Sequence, residues 1–539
     1  MVLLHKLTKS RNKKNKDTKR GHFRKIIKQI KKTTKKNSSR KTKKTRVSLI
    51  YQSKKNKILN SIFKESNSVN GNYDTYIVFF CSNINSHIKR VEELLNLKIP
   101  SSVINEINTL KEDFIDFYLG NKNIILGNFK NKSETCKENK CHEIASIIGK
   151  KLNDTNKKYV VILNNNQYLS LQISGIIQGY YKFTKYNSDS IDIPSVDFYY
   201  DDYFEKLKIS NAIEMSIITN INQCEVRDLV NEPVNQLNSI TYLKHIQKSL
   251  SKYKNIKIKV YNQEKLKKMG MNLILAVNKG SVNPPMLVVL EYKNSDNKDD
   301  KNICLVGKGV MFDTGGINIK YDEFYDMKSD MAGSALVFGV IKTLADLNIK
   351  KNVVGILPLV ENDVDGKATH PGDIVKSYSG KTVEILNTDA EGRLILADAI
   401  YYCKNYNPKI IIDIATLTGQ VAEIFDNIAT GIMSNDIKTI EQFKKIGQIE
   451  NEKIWDLPMW DEYVEDTEST MADIKNINRG DASTINGAAF LINFLPTKKT
   501  KWAHLDIAGV SYNLEDTDTR YEGGTGESLR TLINYVINH

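Results

Sequence analysis

The sequence predicts an α/β protein: a C-terminal catalytic domain with a mostly parallel sheet flanked by helices, a smaller N-terminal α/β domain, and a disordered basic N-terminal tail. Three observations carry this expectation. Beyond residue 300, short apolar strand-like runs alternate with helix-length apolar runs. Between residues 47 and 211 a weaker alternation is broken by polar, Asn- and Lys-rich segments. Before residue 47, Lys and Arg crowd together almost without acids. Strands alternating with helices signal βαβ units and a buried parallel sheet. A length of 539 residues suggests two to four domains, and 40% hydrophobic residues suffice for substantial cores.

The tail comes first in the chain. Residues 1–46 hold 20 Lys and Arg against the single acid Asp17, a charge of +19. Subtracting this from the whole-chain +15 leaves −4, so the rest of the protein is mildly acidic. Charge repulsion and a lack of apolar residues to bury predict disorder here. Phe23, Ile26, Ile27 and Ile30 fall at helical spacing among lysines, which also suits a short amphipathic helix on a membrane surface or partner. Attraction to nucleic acid or another anionic surface is the functional alternative for the tail. A mitochondrial transit peptide also fits the scarcity of acids, although such signals favour Arg over Lys.

Residues 47–211 contain strand-like runs such as Tyr76–Cys81 and Tyr159–Leu163, and predict a small α/β domain with no visible chemistry. The stretch from Asn211 through Asn231 reads as a helix stopped by Pro233, connecting this region to the catalytic domain expected over 212–539. The six cysteines are scattered and form no disulfide scaffold. Cys136, Cys141 and His142 lie close in sequence, but no second pair completes four zinc ligands. No run reaches the roughly 18 apolar residues that cross a bilayer, and the first residues lack a secretory apolar core. A soluble, cytoplasmic chain without a transmembrane segment is therefore expected.

In the C-terminal half, Ile303–Val306, Val353–Leu357, Thr382–Leu386 and Ile410–Ile414 read as strands; Gly333–Ala345 and Leu394–Tyr402 read as buried helices. Ligands in such folds bind past the carboxyl ends of strands, and the polar clusters fall there. Four acids, Asp313, Asp330, Asp389 and Glu391, and three bases, Lys308, Lys320 and Arg393, all lie on these loops. Each has a plainer reading. Asp330 could cap the following helix, and the acids of Asn387-Thr-Asp-Ala-Glu-Gly-Arg-Leu394 suit a helix start, since caps and first-turn acids satisfy free N–H groups and the dipole. The glycines of Gly307–Lys320 could cradle a phosphate, but neither a Walker pattern nor GxGxxG is present. Taken together, several carboxylates at one sheet edge repel one another unless cations sit between them. Two divalent ions roughly 3.5–4 Å apart would share a hydroxide whose parent water has a pKa near 7. With no HExxH segment, a histidine-based zincin is excluded. Two-metal phosphoester hydrolysis fits the carboxylates alone.

The run Val306–Lys320 (VGKGxxFDxGGxxxK), Met327–Gly333 (MKSDMAG), Asn387–Leu394, Asp413–Gly419 (DIATLTG) and Trp502–Gly509 (WAHLDIAG) closely resemble the leucyl aminopeptidase family, also called cytosol aminopeptidases. The resemblance spans about Arg227 to Leu532; the region before it matches by position only, and the tail has no counterpart in the family's common core. It implies a metallo-exopeptidase with two divalent ions per subunit, Zn²⁺ or Mn²⁺. Asp313 and Glu391 would bridge them through an activated hydroxide, Lys308 and Asp330 would complete the tighter site, and Asp389 the more exchangeable one. A ligating lysine must be neutral, which demands a shift of more than about 3 pKa units. Lys320 would stabilise the oxyanion, and Arg393 would hold a bicarbonate ion as general base. Met327, Thr416, Leu417, Gly419, Ala508 and Ser511 would line the pocket for the first side chain. Ser511 stands where some relatives carry methionine, a departure that leaves the preference for leucine open. His370 stands where relatives carry Arg or Lys and is expected to be structural, while Asp322, Glu323 and Asp326 put unusual acids into the insert before Asp330. The resemblance further implies peptide substrates with a free N-terminus, neutral leaving residues and a homohexamer. The alternative is a nucleic-acid-binding protein on a peptidase scaffold that uses the basic tail.

Overall fold

The computed structural model describes residues 63–539 apart from 67–68, 70–72, 81–83, 110–112, 129–136, 153–156, 164–167, 188–194, 201–205, 298–299, 322–323 and 479. The expectations for the basic tail, Cys136, Asp322 and Glu323 lie outside the described residues. No helix among the described residues is long and apolar enough to cross a membrane.

Strands β1 (Phe63–Ser66), β2 (Thr75–Phe80), β3 (Phe114–Leu119), β4 (Lys122–Asn128), β5 (Lys158–Leu163) and β6 (Ser195–Tyr200) form one sheet in the order β1-β6-β5-β2-β4-β3. Its neighbours run parallel except the β3/β4 hairpin. Helices α1 (Ile84–Leu95), α2 (Ser101–Thr109), α3 (Lys137–Lys151) and α4 (Leu169–Tyr180) accompany it. Cys141 and His142 are buried on α3, and His142 Nε2 lies 3.1 Å from Ser174 Oγ on α4, a packing role.

The long helix α5 (Lys206–Asn231) starts ahead of the expected boundary at 211/212 and stops before Pro233. Its buried polar side chains tie α4 to the C-terminal segment around Gly524. Arg227 donates to Gln178 O and Oε1 on one side (3.0 and 2.9 Å) and to Gly524 O on the other (2.8 Å).

The second sheet has nine strands. Beyond α6 (Ser239–Leu250) they are β7 (Ile256–Asn262), β8 (Met286–Lys293), β9 (Ile303–Gly307), β10 (Gly309–Asp313), β11 (Asn352–Asn362), β14 (Ile410–Ala415), β15 (Thr430–Ser434), β16 (Ile454–Asp456) and β18 (Trp502–Asp506), in the order β16-β15-β18-β14-β9-β11-β8-β7 with β10 beside β11. The central run β18-β14-β9-β11 is parallel, and antiparallel pairs appear only toward the edges. Its strands read as continuous apolar runs because both faces are covered. Alternate residues enter two cores: Ile303, Leu305, Ile410, Ile412 and Ile414 on one side; Cys304, Val306, Ile411 and Ala415 on the other.

Helix α9 (Ala332–Asp346) covers the first face and α10 (Glu391–Tyr402) the second. Their N-termini therefore converge on the carboxyl ends of β9 and β14, where Lys308 is the single residue between β9 and β10. Two glycines permit the approach. A Cβ on Gly307 would lie 2.4 Å from Gly333 O, and one on Gly333 would lie 2.1 Å from Ile414 O.

One strand is not where the alternation suggested. Thr382–Ile385 (β13) sits outside the main sheet, in a three-stranded sheet with β12 (Asp373–Lys376) and β17 (Ile474–Lys475). Its residues alternate between half-buried and buried, as expected of a strand with only one covered face.

Candidate active site

The loop after β10 turns at Gly315 and Gly316, both at positive φ (+87° and +65°), a conformation glycine adopts without strain. Gly315 N–H donates to Asp313 Oδ1 at 2.9 Å. Thr388 Oγ donates to Gly315 O at 2.7 Å and so joins this turn to the loop that carries Asp389. The acids are thus assembled from three separate loops onto one sheet edge.

Lys308 Nζ, nearly fully buried, lies 2.8 Å from Asp330 Oδ1, 2.8 Å from Glu391 Oε1 and 2.7 Å from Thr416 O. Lys320 Nζ reaches Asp313 Oδ2 at 2.8 Å and pairs with Asp389 Oδ1. Asp313, Asp389 and Glu391 each offer an oxygen to a cluster in which these atoms lie within 4.8 Å of one another. Thr416 Oγ donates to Asp330 Oδ1 at 2.7 Å, and Asp330 Oδ2 is buried without a hydrogen-bond partner.

Neither Asp330 nor Asp389 caps a helix, although Glu391 does open one as an acid of its first turn. Helix α10 begins at Glu391 with Ala390 as its cap residue and no side-chain cap bond; the Asp389 carboxylate turns to Lys320 instead. Helix α9 likewise has no side-chain cap, and Asp330 is spent on Lys308 and Thr416.

Electrostatics follow from crowding. Burial opposes the charge on Lys308 and on Lys320, but the surrounding carboxylates outweigh it and raise both. Burial raises Asp330 well above the usual range, against the pull of Lys308 and with Glu391 and Asp313 adding repulsion. Burial and Asp313 push Asp389 up to about 6. Four carboxylates face two ammonium groups, an excess of negative charge in a largely buried space. An all-oxygen set with one buried, unpartnered carboxylate oxygen fits hard or borderline divalent cations. Lys308 joins such a set only if the cations displace its proton.

Arg393, two residues into α10, is buried; Nη1 donates to Asn476 O at 2.8 Å while Nε has no partner. Burial lowers it to about 10, with Glu391 and Asp506 pulling back. Its unused donor leaves capacity for an anion.

The pocket residues come from parallel neighbours. Ala415 pairs with Asp506, so Thr416–Gly419 and Ala508–Ser511 leave the sheet side by side. Lys328 Nζ lies 5.6 Å from the centre of the Tyr512 ring, which sets the turn carrying Met327 beside Ser511. Ser511 is buried, and its Oγ donates to Ala508 O at 3.4 Å. His370 is exposed, in a turn closed by Asp373.

Two residues that sequence reasoning passed over stand behind the site. Asp506 Oδ1 accepts from Leu417 N–H (3.1 Å) and Ala508 N–H (3.3 Å), and Oδ2 accepts from Thr418 Oγ (2.7 Å). It lies inside the Trp502–Gly509 motif, so its position was visible although its partners were not. Asn362, at the end of β11, contacts the Asp313 and Asp389 loops and had no local signal.

The model of the cytosol aminopeptidase family, catalytic domain, matches residues 225–533. A probable cytosol aminopeptidase of Thioalkalivibrio sulfidiphilus is 43% identical over 330 residues, 61% of this chain and 65% of that protein, just under two thirds of its length. One from Phytoplasma mali is 41% identical over 360 residues, 64% of this chain and 72% of that protein. Among solved structures, a mutant tomato leucine aminopeptidase is similar with a TM-score of 0.76 at 25% identity, over 88% of this chain and 96% of that one. Neither the described residues nor these comparisons support the nucleic-acid alternative.

Proposed function

Because the chain belongs to the cytosol aminopeptidase family, we propose that it is a metal-dependent aminopeptidase that hydrolyses the first peptide bond of peptides with a free N-terminus and releases neutral residues. The observation that carries this reading is the meeting of Lys308, Asp313, Lys320, Asp330, Asp389 and Glu391 at one sheet edge, with Arg393 on the helix that Glu391 opens.

Lys308, Asp313, Asp330, Asp389 and Glu391 would hold two divalent ions, zinc or manganese, with Asp313 and Glu391 shared between them. Such a pair lowers the pKa of a shared water toward about 7 and so supplies a nucleophile at neutral pH. Lys320 keeps its proton and donates to the oxygen that becomes anionic on attack. Arg393 would hold a bicarbonate as proton acceptor, using the donor capacity left at Nε. Asp330 faces the substrate's amine, which limits cleavage to the first residue. Met327, Thr416, Leu417, Gly419, Ala508 and Ser511 surround the first side chain, and the buried Ser511 hydroxyl leaves room there for more than leucine. The reading extends to a homohexamer in the cytoplasm, which light scattering and cell fractionation test.

The test is a set of matched substrates. Full-length protein supplied with Zn²⁺ or Mn²⁺ should cleave leucinamide and simple dipeptides, and should leave the N-acetylated forms intact. Equal cleavage of capped and free substrates, or full activity after Asp389→Ala, would overturn the reading.

A further inference from the structure

At the end of β11, a strand buried along almost its whole length, Asn362 is 4% exposed. Its amide nitrogen has two hydrogens, and both are used on opposite halves of the acidic cluster. One goes to Asp313 Oδ1 at 2.8 Å, the other to Thr388 O at 3.0 Å, in the residue before Asp389. Its own carbonyl accepts from Thr314 N–H and Thr314 Oγ, both at 2.9 Å, which pins the chain just after Asp313. No other side chain among the described residues bonds both to an acid of the cluster and to the backbone of the Asn387–Leu394 loop.

The consequence for Asp313 is orientational. Asn362 and Gly315 N–H take Oδ1, which leaves Oδ2 for Lys320. The Lys308 and Asp330 side of the cluster is held differently, through Thr416 and Glu391, and has no bond to Asn362. Asparagine suits the position because it is neutral and donates twice. An aspartate would add a fifth repelling carboxylate, and a leucine of similar volume would offer no donor at all.

We propose that Asn362 is a positioning residue that clamps the Asp313 and Asp389 loops together and thereby sets the affinity of the more exchangeable divalent-cation site. The inference rests on the aminopeptidase reading for the existence of two cation sites, but concerns a residue to which that reading gives no role. Outer-sphere partners that orient a ligating carboxylate typically carry about 10–100-fold of metal affinity. Asp313 is read as a ligand to both ions and Asp389 as a ligand to the more exchangeable one alone, so loosening both loops should weaken that site more than the one that Lys308 and Asp330 hold. A purely structural defect would weaken both sites alike.

The experiment titrates metal-free full-length protein with Mn²⁺ alone against a competing fluorescent chelator, and resolves the two binding steps in wild type, Asn362→Leu and Asn362→Ser. The serine variant keeps a polar group and leaves room for water, so it serves if the leucine variant does not fold. The expected result is a rise of about 10–100-fold in the weaker dissociation constant, with the tighter one changed by less than about threefold. Unchanged isotherms in the serine variant, or an equal loss at both steps, would overturn the proposal. Failure of the wild-type chain to bind two Mn²⁺ would count against the aminopeptidase reading itself, and is read from a different sample.

Discussion

Gly392 offers the sharpest test of how the site is packed. A Cβ built there would lie 2.6 Å from Lys308 Cε, 2.7 Å from Nζ and 2.8 Å from Cδ. Favourable contacts between heavy atoms begin near 3.5 Å, so Gly392→Ala would require Lys308 to move by roughly 1 Å. A free lysine would swing aside, but this one is buried and held by Asp330, Glu391 and Thr416 O. Overpacking of this kind costs about 1–3 kcal/mol. The gain in helix propensity over glycine returns at most about 1 kcal/mol, leaving a net loss of about 0–2 kcal/mol when that gain is full. Activity should suffer more than stability, because a displacement of about 1 Å at a reacting centre costs on the order of 10²-fold in rate. Urea unfolding and kcat/KM on leucinamide, measured on the same preparations, give both numbers. Gly366→Ala, at a site where an added Cβ meets nothing within 4 Å, is the control and should be silent in both assays. A Gly392→Ala protein with wild-type kcat/KM would refute the claim that Lys308 has no room to move.

Three further outcomes are expected. Stripping metal with a chelator should abolish activity and lower the melting temperature, and Mn²⁺ at 100 times its dissociation constant should restore about 2.7 kcal/mol per independent site; a melting temperature indifferent to Mn²⁺ counts against a metal centre. Burial opposes the charge on His504, but Asp413 at 2.5 Å outweighs it and raises the imidazole pKa. That pair's stabilisation is therefore complete below the unfolded value near 6.5 and is lost as pH rises through the folded one. Urea unfolding between pH 6 and 9 should show this decline in wild type and not in Asp413→Asn, and an identical slope in both would sink the assignment. Asp398, buried on α10, accepts from the N–H groups of Leu273, Ile274 and Tyr378. Asp398→Ala should cost about 3 kcal/mol or more by stranding these donors, and Asp398→Asn, which keeps one acceptor, should cost less; equal urea midpoints for all three proteins would show the bonds to be dispensable.

What the sequence determined by itself was local and chemical. Apolar runs of strand and helix length in alternation were enough for the parallel core, because residues buried on both faces must be apolar whatever the details of packing. The acids and lysines of Gly307–Lys320, Met327–Gly333 and Asn387–Leu394, which the fold brings together, could be picked out for a similar reason: each segment carries its chemistry within a few residues. Tertiary structure decided which atoms meet. Asp389 could have capped α10 on local grounds, and turns to Lys320 only because the Gly315–Gly316 turn brings that lysine across. Thr382–Ile385 looked like its neighbours in sequence yet left the main sheet, since an alternating run suits a strand covered on one face. Asn362 had no local signature, and Asp506 showed only its place in a motif, because key partners are far along the chain, Asp313 49 residues from the first and Leu417 89 residues from the second. A hydrogen bond depends on distances of about 3 Å between groups that only the folded chain brings together, so no pattern of neighbours in sequence can encode it.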